Sequence, residues 1–153
     1  MIRHFTVLVT ALLCLVLLTS CAATTSEDTD AAVGRWSKKE AAIVDDDPTA
    51  VAVLFAAIDG GHSPRGTAIT TGFEESQTIA RLVLSCYGTG TMDGVLSVTT
   101  SKGSSSTEFP GLHCADGPQR LEMPASAVRS VDKLSFRATN SSQESAWQLV
   151  ARR

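Results

Sequence analysis

Hydrophobic and polar positions divide this chain into three regimes. Phe5 to Leu18 is an almost unbroken apolar run behind a basic start at Arg3, closed by Thr19-Ser20-Cys21. From Ala22 to Ala32 the chain is small, polar and acidic, with no bulky apolar side chain. From Gly66 onward the apolar residues take up a period of two, which places them on one face of an extended strand.

The strand-like runs are distinct. Ala80, Leu82, Leu84 and Cys86 alternate with Arg81, Val83, Ser85 and Tyr87. Val95 to Thr100 is rich in β-branched residues and ends at Lys102-Gly103-Ser104-Ser105-Ser106, while Thr107 to Cys114 is a poorer strand broken by Pro110-Gly111. Ala115-Asp116-Gly117-Pro118 reads as a turn, because Gly supplies positive φ and Pro opens the next segment. Leu121 and Met123 then alternate with Arg120 and Glu122, and Leu134, Phe136 and Ala138 with Lys133, Ser135 and Arg137. Asn140-Ser141-Ser142 turns the chain into a last strand with Trp147, Leu149 and Ala151 on one face. Runs about a dozen residues apart with a turn signal between them are the rhythm of an antiparallel sandwich or barrel. The expected fold is all-β, a two-sheet antiparallel β-sandwich of about seven or eight strands, with room for one short N-terminal helix. Phe55, Phe136 and Trp147 are the expected aromatic core.

One segment is ambiguous. Asp47-Pro48 reads as a helix start and Asp59-Gly60-Gly61 as a stop, yet Val51, Val53 and Phe55 alternate as a buried strand would. The breakers at its ends do not choose between the two, and the expectation for 49–58 is a short helix or an irregular apolar segment.

The apolar run at the start is too short for a spanning helix, which needs about 20 apolar residues, and no basic stop follows it. Basic start, apolar stretch and small residues make a secretory signal peptide. Leu18-Thr19-Ser20-Cys21 resembles the lipobox of bacterial lipoproteins. The resemblance implies cleavage between Ser20 and Cys21 and a diacylglyceryl thioether on Cys21, hence a membrane anchor facing the extracytoplasmic side. Cys14 would leave with the peptide. On this reading residues 1–20 are a signal peptide, 21–47 a flexible acidic tether and 48–153 the sandwich domain. Trp36 is the exception within the tether, placed either to dock on the domain or to mark a short helix over Ser37 to Ile43; docking is the preferred reading.

Charge sharpens the division. Between Cys21 and Asp47 seven acids face three bases, whereas from Pro48 to the end nine acids balance nine bases. A near-neutral body lacks the basic face a nucleic-acid binder needs, and without a polybasic patch the lipid must supply the attachment. Cys86 and Cys114 remain once Cys21 is committed to lipid. In an exported chain an even pair reads as a disulfide, and closing that loop restricts the unfolded chain by about 3.5 kcal/mol in the chain-entropy model. A metal site with His113 or His62 lacks both the spacing and the three or four convergent ligands that zinc requires.

Cys86-Tyr87-Gly88-Thr89-Gly90, with a second cysteine two strands on and a final tryptophan strand, is similar to a pattern in small β-sandwich lipoproteins of high-GC Gram-positive bacteria. That likeness bears on fold and anchor and carries no activity.

Catalytic patterns are absent from the sequence. There is no Gly-x-Ser-x-Gly elbow, and Gly61-His62-Ser63 puts base and hydroxyl on adjacent residues that point apart on an extended chain. Glu74-Glu75 and Asp45-Asp46-Asp47 lack the alternating oxygen ligands and turn glycine of a calcium loop. Asn140-Ser141-Ser142 matches a glycosylation sequon but reads as a turn. Tyr87, opposite the core face beside a glycine turn, is the one candidate ligand contact, suited to stacking on a sugar or anchoring a partner. The expectation is therefore a lipid-anchored envelope lipoprotein that is not an enzyme and carries no cofactor or metal. Its body would be a binding module for an envelope protein or glycan. An accessory structural subunit and an enzyme with an unrecognised site are the alternatives.

Overall fold

The computed structural model describes residues 26–61, 66 and 68–153. A helix, α1 (Ser26–Asp45), precedes eight strands: β1 (Ala50–Ile58), β2 (Ala68–Gln77), β3 (Arg81–Cys86), β4 (Thr91–Thr100), β5 (Gly103–His113), β6 (Gln119–Arg120), β7 (Val131–Thr139) and β8 (Ser145–Arg152). They form two antiparallel four-stranded sheets, ordered β1-β8-β3-β6 and β2-β7-β4-β5. The expected sandwich is the observed fold.

The core lies where the period-two patterns meet. Leu54, Leu82, Leu84, Trp147 and Leu149 point inward from the first sheet, and Met92, Leu96, Val98, Leu134 and Phe136 from the second. Trp147 and Phe136 meet edge to face across the sheets, with ring centroids 4.8 Å apart, a favoured aromatic geometry. Phe136 fills the space over Gly94, where a Cβ would stand 2.7 Å from its ring. Glycine is needed there for close packing.

Within the sandwich, four segments depart from the sequence expectation. Residues 49–58 are neither helical nor irregular: β1 runs against β8 in register from Ala52 opposite Ala151 to Ile58 opposite Ser145. Pairing with a neighbouring strand satisfies the backbone and lets Leu54 reach the core, which outweighs the helix-start signal of Asp47-Pro48. Phe55 is consequently not a core residue; it faces outward and is 41% exposed. The break at Pro110-Gly111 is a bulge inside β5. Met92 lies opposite Leu112 but Gly94 opposite Phe109, so one extra residue is absorbed, with Gly111 at φ +63°. Ser104 to Ser106 belong to β5 rather than to a turn. Finally, the strand expected through Leu121 and Met123 contracts to the two residues of β6, which end at Arg120, with Leu121 N–H still donating to the Leu82 carbonyl at 3.0 Å.

The acidic stretch expected as a tether is helical from Ser26 to Asp45. Asp28 and Asp30 lie near its positive N-terminal end, where acids are favoured. Ala32, Val33, Trp36, Glu40 and Val44 are half-buried at three- and four-residue spacing while Arg35, Lys38, Lys39 and Ile43 are exposed, the stripe of a helix with one side covered. Among the described residues no helix is long and apolar enough to cross a membrane.

Candidate functional site

Three aromatic rings converge on the outer side of the first sheet. Trp36 of α1 stands with its ring centroid 6.3 Å from Phe55 of β1 and 6.2 Å from Tyr87, which follows β3. Strand alternation puts Phe55 and Tyr87 there: Leu54 and Cys86 point in, so their successors point out. β8 lies between β1 and β3, Phe55 opposite its Gln148, and Tyr87 N–H donates to the carbonyl of Ala146 at 2.8 Å. Trp36 thus spans β8. This accounts for an otherwise odd burial pattern, in which Ala146 and Gln148 are as enclosed as the core-facing Trp147 and Leu149.

Two clamps fix this arrangement. At the α1–β1 corner Asp47 accepts from the Thr49 hydroxyl at 2.6 Å and its N–H at 2.9 Å, and from Arg152 Nε at 2.6 Å. The Thr49 hydroxyl, then Arg152 and the Thr49 amide, hold its carboxyl at about 2, below the usual 3.8. At the other end of the sheet Cys86 and Cys114 form a disulfide, with sulfurs 2.06 Å and Cα atoms 5.0 Å apart. The bridge joins the end of β3 to the 3-10 turn Cys114–Asp116 after β5, so it links the two sheets. Both cysteines lie on the core side, and His113 is turned outward.

Between α1 and the disulfide is a groove of about 460 Å³ lined by Trp36, Lys39, Glu40, Ser85, Cys86 and Cys114, among others. Indole, one cation, one anion and a hydroxyl around an open groove suit binding by stacking and hydrogen bonds. Among the described residues no three His, Cys, Asp or Glu side chains gather to hold a metal.

The predicted site residues fare differently. Cys86 and Cys114 come together. Tyr87 faces away from the core but is half-buried against Trp36, not an open platform. Leu18 to Cys21, with Ser20 and Cys21 at the expected cleavage point, lie outside the described residues, as do His62 and Ser63. The sequon is a turn: Asn140 sits at φ +53° and donates through Nδ2 to Asp93 Oδ2 at 2.8 Å. That bond, with Gly111 N–H on Oδ1, lowers the Asp93 carboxyl below its usual range. The partnership of Trp36 with Phe55 was missed. Its signals were the three- and four-residue spacing around Trp36 and the outward parity of Phe55 once Leu54 is taken as core. No family model, no curated protein and no solved structure matches the chain.

Proposed function

We propose that the chain is an exported lipoprotein, anchored by lipid at Cys21, whose sandwich is a non-catalytic module for binding an envelope protein or glycan. The observation that carries the reading is Leu18-Thr19-Ser20-Cys21 closing an apolar run behind a basic start. The Cys86–Cys114 bridge supports it, because disulfides persist in exported proteins and seldom in the cytosol. The groove beside the disulfide supports the binding part, since the Trp36 indole stands there beside Lys39, Glu40 and Ser85. Two or three acyl chains hold a protein firmly where one holds it reversibly. The test is metabolic labelling with a fatty acid: the natural chain takes up label and sediments with membrane, and Cys21→Ser does neither or stays uncut. Equal mass and membrane association for the two proteins contradict the reading.

A further inference from the structure

At the end of the first sheet away from the disulfide, a second groove of about 280 Å³ opens between the start of β3, β6 and the loop that follows β6. Its lining includes apolar side chains: the core residues Ile79 and Leu121, and Met123 and Val128, which are partly buried against the core. Its rim carries three guanidinium groups from three separate segments, Arg81, Arg120 and Arg129, and one carboxylate, Glu122. That is a third of the nine bases that follow Pro48, gathered at one opening in an otherwise balanced body.

The carboxylate is already engaged, 2.7 Å from Arg120 Nε. Among the described residues, Arg81 and Arg129 make no ion pair. Arg81 also stands directly opposite Arg152 in the β3–β8 register, and like charges at facing positions are unfavourable. Asp47 relieves Arg152 of its share, leaving Arg81 as uncompensated charge beside the groove. Planar guanidinium forks match a carboxylate in bidentate geometry, and an apolar lining with a few polar groups is the make-up of a small-molecule site.

We infer that this groove binds a small soluble amphiphile, an aliphatic chain ending in a carboxylate, with its head on Arg81 and Arg129 and its chain over Met123 and Val128. The groove is distinct from the aromatic one, so the failure of either reading leaves the other standing. The test is ligand-observed NMR on the full chain in phosphatidylcholine discs, with hexanoate, hexanol and inorganic phosphate as probes. Hexanoate should bind at least about fivefold more tightly than either fragment probe, because head and chain are both engaged. Arg81→Ala and Arg129→Ala should each weaken hexanoate by about tenfold and leave hexanol unchanged, while Arg129→Lys retains part of the affinity. Lys102→Ala, a charge change on another surface, should have no effect. Hexanol matching hexanoate, arginine variants that bind as the natural chain does, or binding seen only when the discs contain anionic lipid would overturn the inference.

Discussion

The outward faces of the two sheets were built by opposite rules. On the first sheet, beyond the facing pair Arg81 and Arg152 at one end, the outward positions of these three strands are apolar, small or amide: Val53 and Phe55 on β1, Ala146, Gln148 and Val150 on β8, and Val83 and Ser85 on β3. Over this face Trp36 of α1 stands against Phe55 and Tyr87, and β8 is buried on both sides. On the second sheet a run of outward positions carries hydroxyls, with Val95, Lys133 and Arg137 beside it. Thr70, Ser135, Ser97 and Ser106 form one row across all four strands, bonded in pairs at 2.9 Å and 2.8 Å, and Thr99 with Ser104 at 3.0 Å begins the next. A row of hydroxyls satisfies itself and tolerates water, so that face needs no cover. The comparison teaches that the part of α1 from residue 31 to 45 belongs to the first sheet: without it, apolar side chains in the middle of that sheet would meet solvent.

Predictions that bear on the comparison fall in order of size. The largest concerns the bridge, which belongs to neither face and joins both sheets. Replacing Cys86 and Cys114 with alanine should cost on the order of 2–4 kcal/mol of stability, and both sheets should unfold in one transition. Denaturant unfolding followed by circular dichroism and by fluorescence should give coincident curves; separate transitions would show that the sheets are independent.

Next is Trp36→Ala. Loss of a half-buried indole with two ring partners should cost about 1–2 kcal/mol. Amides of α1 and of β8 near Ala146 should lose protection, while β4 and β7 keep theirs. Equal loss in the two sheets would deny this part of α1 its place on the first.

Acid should act on the same corner. Asp47 has its carboxyl held at about 2 against a usual 3.8, chiefly by Thr49 and then Arg152. A depressed carboxyl contributes stability that is present above pH about 4 and is lost as pH falls toward 2. Asp47→Asn should flatten that part of the stability profile. A mutant profile as steep as the natural one would assign the acid sensitivity elsewhere.

The smallest effect belongs to the second sheet. Ser97→Ala or Thr99→Val should change stability by no more than about 0.5 kcal/mol, the usual range for surface substitutions. A loss several times larger would mean that the hydroxyl rows hold the sheet together.

Much of the core was legible in the sequence, because period two survives wherever one face is buried and the other wet. Leu82, Leu84 and Cys86, or Leu134, Phe136 and Ala138, announce their inward face by alternation alone. The same logic fails for β8, where Ala146, Gln148 and Val150 are buried as well as Trp147 and Leu149. It fails for β1 in the reverse sense: Val53 and Phe55 look like core and point out, because an edge strand beside a helix carries apolar residues on both faces. The helix was hidden for a related reason. Ser26 to Asp45 has few bulky apolar residues, and its stripe rests on one tryptophan among alanines and valines. Of the candidate site, the cysteine pair could be read from parity and compartment, and the outward turn of Tyr87 from parity alone. The partnership of Tyr87 with Trp36 spans some fifty residues, and no local pattern encodes it.

Whether 31–45 is part of the fold or a loose connection is therefore the point on which sequence and structure differ most, and hydrogen exchange on the full chain tests it directly. With that part of α1 seated on the first sheet through Trp36, amides from about Trp36 to Val44 should exchange slowly, with protection approaching that of β1. Exchange in that stretch at the rate of an unstructured peptide, with β1 and β8 fully protected, would contradict the account.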